Sequence, residues 1–84
     1  LLAFLRTEVL PHFEGADLTG VRFNRATFDK ANFAGANLKA AKFDGAKLLG
    51  ADFSAAVNLS TEQLAKACAT SDTKLPQGVT APRC

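Results

Sequence analysis

A chain of 84 residues with a net charge of +2 and two cysteines bounds one small domain. It contains no Met, Trp or Tyr, and every aromatic is Phe. No stretch approaches the roughly 18–20 apolar residues of a membrane span, and a charge so near neutral does not by itself point to nucleic acid.

Residues 1–10, Leu-Leu-Ala-Phe-Leu-Arg-Thr-Glu-Val-Leu, are expected to form a short amphipathic capping helix. Leu2, Leu5 and Val9 share one stripe, Leu1 and Phe4 lie beside it, and Arg6, Thr7 and Glu8 are polar. Pro11 disfavours helix at Leu10 and marks the boundary. Two roles fit such a helix: a lid over the open hydrophobic end of the domain, or the stub of a longer helix leading to another domain or a membrane segment. Leu1 in place of a methionine is what a processed or excised chain would show.

From Pro11 to Ala55 a large apolar residue recurs at every fifth position: Phe13, Leu18, Phe23, Phe28, Phe33, Leu38, Phe43, Leu48 and Phe53. Two residues before each stands a small or compact one, from Pro11, Ala16 and Val21 through Ala26, Ala31, Ala36, Ala41, Ala46 and Ala51. A period of five fits neither the helical 3.6 nor the strand period of 2. On a helix the large residues would point all round the axis, and on a strand they would alternate faces. The chain must instead turn a corner once per repeat, so that every fifth side chain meets the same interior. Gly15, Gly20, Gly35, Gly45 and Gly50 fall two residues after the large one, where a type II turn needs φ > 0. The remaining corners hold Arg25, Lys30, Ala40 and Ala55, so some corners are expected to use a different turn type.

Segments such as Ala16-Asp17-Leu18-Thr19-Gly20, Ala31-Asn32-Phe33-Ala34-Gly35 and Ala51-Asp52-Phe53-Ser54-Ala55 resemble the A(D/N)(L/F)XX pattern of pentapeptide-repeat proteins. The resemblance covers residues 11–55. It implies an all-β solenoid, a right-handed quadrilateral β-helix in which four pentapeptides make one square coil. The large residue and the small one before it face inward and the other three face solvent. Departures at the Asp/Asn position then touch only the surface. Together with the flanking segments this gives about two to three coils with short α-helical caps at both ends. The boundaries are a capping helix at 1–10, the β-helix at 11–59, and a capping helix with tail at 60–84.

Counting in steps of twenty stacks Phe13, Phe33 and Phe53 on one face, Leu18 on Leu38, Phe23 on Phe43, and Phe28 on Leu48. Outward charges sort unevenly on this layout. The Phe23/Phe43 face carries Arg22, Arg25 and Lys42 against Asp44, and the next carries Lys30 and Lys47 against Asp29. The Phe13/Phe33/Phe53 face carries Glu14 and Asp52 and no base. Either this is an ordinary solvated surface, or Arg22, Arg25, Lys42 and Lys47 form a shallow docking stripe for an acidic partner.

After Phe53 the register breaks: position 58 is Asn, the next apolar centre is Leu59, and repeat geometry is expected to end there. Ser60 and Gln63 have the spacing of a capping box, and a short helix is expected through Leu64, Ala65, Ala67 and Cys68 to about Thr70. Leu75-Pro76-Gln77-Gly78 reads as a turn. A disulfide between Cys68 and Cys84 would staple the tail to the cap; a reduced pair packed as small hydrophobes fits the sequence equally. The Glu-Gln-Leu, Ala-Cys, Leu-Pro-X-Gly and final Pro-X-Cys ending also resembles the C-terminal ends of many bacterial pentapeptide-repeat proteins. That implies a bacterial source; the compartment stays open between the bacterial cytoplasm and, if Cys68 and Cys84 are paired, the periplasm.

No catalytic constellation, phosphate loop or metal-ligand spacing is present in the sequence, and no cofactor is expected. His12, the only histidine, reads as an idle surface residue. The leading expectation is a structural or protein–protein interaction module. The resemblance offers a second reading, since some pentapeptide-repeat proteins mimic DNA and bind DNA gyrase, an activity associated with quinolone resistance. Short length, a net positive charge and two basic faces count against it. Direct DNA or RNA binding through Arg22, Arg25, Lys30, Lys42 and Lys47 is weaker still, because acids interrupt them and no exposed aromatic offers stacking. An exposed Leu49 would hint at self-association, although single surface leucines are ordinary.

Overall fold

The computed structural model describes residues 12–84, so the capping helix expected at 1–10 and the repeat position of Pro11 lie outside the described residues. Residues twenty apart are neighbours. Parallel bridges join His12 to Asn32, Asp17 to Asn37, Arg22 to Lys42, Thr27 to Lys47, Asn32 to Asp52 and Asn37 to Val57. One turn of this β-helix solenoid therefore takes four five-residue repeats. Each repeat exchanges backbone hydrogen bonds with the next turn: the Leu18 N–H donates to the Asn37 carbonyl at 2.9 Å, and the Asn37 N–H donates back to the Ala16 carbonyl at 2.9 Å. Corners leave room for only one paired residue per side. The exceptions are β1 (Lys47–Leu48) and β2 (Cys68–Ala69), which pair in parallel.

The interior follows from the period. Phe33, Leu38, Phe43, Leu48 and Phe53 are fully buried, with Ala31, Ala36, Ala41, Ala46 and Ala51 beside them. Rings stack between turns and meet edge-on within a turn, the two arrangements the aromatic quadrupole favours. Phe33 lies between Phe13 at 4.8 Å and Phe53 at 4.2 Å. Phe23 stacks on Phe43 at 5.3 Å, and Phe28 meets Phe23 and Phe33 edge-on at 5.0 and 5.2 Å.

The corners correct one expectation. At Gly15 the chain has φ 67°, and the Ala16 N–H donates to the Phe13 carbonyl at 3.0 Å, the pattern of a type II turn. Arg25, Lys30 and Ala40 do not use a different backbone: their φ values are 64°, 60° and 59°. The ladder imposes this conformation. The Arg25 N–H must reach the Asp44 carbonyl (2.9 Å) and the Lys30 N–H the Leu49 carbonyl (2.8 Å), and the surrounding turns overdetermine the strained residue. Ala55 alone departs, and the left-handed residue there is Asn58 instead, at φ 61°.

The Asp/Asn position is architectural as well as superficial. The N–H just past an apolar centre has no place in the ladder, and at four repeats a side-chain oxygen two residues back accepts it. Asp17 takes the Thr19 N–H at 3.2 Å, Asn32 that of Ala34 at 2.9 Å, Asn37 that of Lys39 at 3.1 Å, and Asp52 that of Ser54 at 2.9 Å.

The expected helix from Ser60 to Thr70 is a second correction. The Ser60–Gln63 box forms: the Ser60 N–H donates to Gln63 Oε1 at 2.8 Å, and the Gln63 N–H donates to Ser60 Oγ at 3.3 Å. It opens only a 3-10 turn, Glu62–Leu64. So short a helix is marginal, whereas β1 offers free ladder groups, and the Cys68 N–H donates to the Ala46 carbonyl at 3.0 Å. The ladder continues past Leu59 as an irregular third turn, with Cys68 above Lys47 and Lys74 above Asp52. Side chains fill its gaps. Gln63 Nε2 donates to the carbonyls of Leu38 (2.8 Å) and Ala41 (2.9 Å). Thr70 Oγ1 accepts the Gly50 N–H at 3.1 Å, and the Thr73 hydroxyl donates to the Leu48 carbonyl.

The tail turns back at Pro76–Val79, where the Val79 N–H donates to the Pro76 carbonyl at 3.0 Å. It then pairs with β2 through Ala69 N–H to Pro82 carbonyl (2.8 Å) and Cys84 N–H to Ala69 carbonyl (3.1 Å). Cys68 and Cys84 are joined by a disulfide of 2.09 Å. Leu64 is fully buried at this end, and Leu75, Val79 and Ala81 pack against the core. Among the described residues no helix is long and apolar enough to cross a membrane.

Candidate docking face

Arg22 and Lys42 are bridge partners on one side of the solenoid. Their backbones are fixed by the Phe23 N–H to Lys42 carbonyl bond (2.8 Å) and the Lys42 N–H to Val21 carbonyl bond (3.0 Å). Neighbouring strands lie about 4.8 Å apart, so the two cationic side chains emerge side by side from a rigid base. Arg25 stands at the corner beyond Arg22, and Lys47 follows Lys42 round the next corner, on β1. All four are exposed. Lys66 belongs with them, because its carbonyl accepts the Gly45 N–H at 2.7 Å. Counting in twenties could not find it, since the third turn is longer than twenty residues.

Among the described residues these cations are not neutralised by contact. The one ion pair there joins His12 Nδ1 to Glu14 Oε2 at 3.3 Å, on another side. Asn32 Nδ2 also donates to that Glu14 oxygen at 2.9 Å. The acidic side is less uniform than the repeat alone suggested, because the third turn sets Lys74 above Asp52. Leu49, expected to be exposed, is half-buried, and Val57 is the exposed large apolar residue.

Beside Lys42 lies a shallow cleft of about 240 Å³ lined by Ala40, Ala41, Lys42, Asp44, Glu62 and Gln63. It exists because the Gln63 side chain, rather than a regular backbone turn, meets the Leu38 and Ala41 carbonyls. It is smaller than the 300–1,000 Å³ typical of small-molecule sites, and can take one protruding side chain.

The acids with altered titration are committed to local structure. Asp17 is held below the usual carboxylate range first by the Thr19 hydroxyl and then by the Thr19 N–H. Asp52 is lowered in the same way by Ser54, and Asp72 chiefly by the Thr70 hydroxyl. Each shift favours an ionised, hydrogen-bonded anchor, the opposite of a proton donor held ready near neutral pH.

A family model described as Pentapeptide repeats matches residues 12–43 and 31–60, in 8 copies. Comparison with curated proteins and with solved structures found no match.

Proposed function

The chain belongs to the pentapeptide-repeat family, and from that premise we propose a non-enzymatic structural and protein–protein interaction module. It is a right-handed, four-sided β-helix of two to three coils, with residues 11–59 as its repeat rod and 60–84 as its C-terminal cap. Its docking face is the stripe of Arg22, Arg25, Lys42 and Lys47, extended by Lys66, and its partner presents an acidic surface.

One observation carries this reading. Arg22 and Lys42 are adjacent, exposed and free of salt bridges to any described residue, on a backbone fixed from both sides. Such a surface engages a partner without ordering its own backbone, which removes a major cost of association. Complementary charge steers encounter and sets specificity more than it sets affinity. The gyrase-binding reading loses support at Lys74, which interrupts the acidic side, and a supercoiling assay at micromolar protein is expected to show no effect.

Affinity capture from lysate of the source organism tests the proposal, comparing the natural chain with R22E/K42E. A stoichiometric partner lost from the variant is the expected result. A partner retained by both chains would move the site elsewhere, and none with either would end the docking reading.

A further inference from the structure

Residues 76–84 are held differently from the chain before them. Through Lys74 the third turn is laddered to the second. The Gly45 N–H donates to the Lys66 carbonyl at 2.7 Å and the Cys68 N–H to the Ala46 carbonyl at 3.0 Å. Lys74 donates to the Ala51 carbonyl at 2.9 Å and accepts the Phe53 N–H at 2.7 Å. Residues 76–84 leave this ladder, reverse at Gly78, where φ is 82° and a side chain would meet open space, and return along the outer edge of β2. Among the described residues, three hydrogen bonds tie them to the body: Ala69 N–H to Pro82 carbonyl (2.8 Å), Cys84 N–H to Ala69 carbonyl (3.1 Å) and Thr80 N–H to Thr61 Oγ1 (3.2 Å). None of them is buried; Pro76, Val79 and Ala81 are half-buried and the others exposed. The covalent tie is the Cys68–Cys84 disulfide, which joins a half-buried anchor on β2 to an exposed residue.

We propose that residues 76–84 are a redox-released strap: reducing Cys68–Cys84 frees them and opens the outer edge of β2, while the solenoid beneath stays folded. The disulfide keeps the end of the tail beside Ala69, so a hydrogen bond that breaks re-forms at once. Without it, three hydrogen bonds that exchange readily for bonds to water must by themselves offset the entropy of ordering the whole segment. The third turn does not share this dependence, because its ladder to the second turn runs through Lys66, Cys68 and Lys74, none of which bonds to the tail through that ladder.

The reductant is a dithiol. Its thiolate attacks Cys84 Sγ, the exposed side of the bond, forming a mixed disulfide and expelling Cys68 as a thiolate that takes up a proton. The second thiol of the reductant then displaces Cys84, which is protonated in turn, and the reductant leaves as its own disulfide. Two electrons and two protons have passed to the protein. Cys68 stays in place, since its backbone is paired with β1, and a dithiol–disulfide exchange in the reverse direction closes the strap again. What the change uncovers is the Ala69 N–H and carbonyl, an unpaired strand edge that the closed strap covers.

NMR of the full-length chain, isotope-labelled and compared before and after dithiothreitol at one pH, tests this. Mass spectrometry after alkylation establishes that both cysteines are reduced. Hydrogen exchange at Ala69 and Cys84 is expected to accelerate by at least about tenfold, and the Thr80, Ala81 and Arg83 signals to move to random-coil positions. Leu38, Lys42 and Phe53 are expected to keep their shifts, and an oxidised dithiol to restore the first spectrum. Cys84→Ser is expected to show the open spectrum without reductant and no response to it. An unchanged tail after full reduction overturns the proposal. So does loss of the Leu38, Lys42 and Phe53 signals together with the tail's, which would make the disulfide a staple of the entire fold, and so does a natural chain whose cysteines stay unpaired in air.

Discussion

Phe33 is stacked on both faces, by Phe13 and Phe53, and is fully buried. Phe33→Ala removes a ring the neighbouring turns cannot replace, and should cost about 3–5 kcal/mol in urea unfolding. Phe13→Ala, in a half-buried turn, should cost less. Ala40 presents the reverse case, since an alanine at φ 59° sits where glycine is at ease. Ala40→Gly should raise stability by up to about 1 kcal/mol, while Ala41→Gly, buried two residues before the next centre, should lower it. The acids set the pH response. Asp17, Asp52 and Asp72 are depressed in the folded state. Their stabilising contribution is therefore complete above the ordinary carboxylate pKa and is lost as pH falls below about 4. The urea midpoint should drop between about pH 5 and pH 2, and Asp52→Asn, which keeps an acceptor for the Ser54 N–H, should flatten that limb.

At the scale of elements, the C-terminal turn is held by side chains and one covalent link. Cys68 and Cys84 are 16 residues apart, and a loop of that size corresponds to about 3 kcal/mol of unfolded-state restriction. Cys84→Ser, or reduction of the natural chain, should lower stability by about that amount in chemical denaturation. The same segment shows what the sequence could and could not say. The five-residue period made the solenoid legible, because a fixed period dictates side-chain direction irrespective of helix or strand propensity. Ser60 and Gln63 announced their mutual bonds, but not that these would open a single 3-10 turn. That outcome depended on the unpaired edge of β1, a tertiary feature with no local signature. Arg25 and Lys30 were misjudged for the same reason, since hydrogen bonds to residues nineteen positions on overrode local turn preference. On the docking face, the adjacency of Arg22 and Lys42 could be read by counting, whereas Lys66 and the cleft could not, because both arise from the lengthened third turn.

Taken whole, the molecule is a short stack in which each turn contacts only its neighbours, so protection should be graded along its axis. Hydrogen exchange should be slowest for Leu38, Lys42 and Lys47, whose N–H groups are bonded to adjoining turns. It should be faster for Asp17, Arg22 and Thr27, whose N–H groups find no acceptor among the described residues. Uniform exchange across these six amides would indicate that the stack opens only as a unit.

The twenty-residue bridges carry a further consequence. A chain whose turns all mate by the same rule grows in quanta: duplicating residues 31–50 should lengthen the prism by one rise of about 4.8 Å and leave both ends as they were. Deleting five residues would instead rotate everything downstream by a quarter turn, swapping basic flank for acidic. Length and azimuth are thus written into this protein as integers, and a partner that reads one side of it is reading the count.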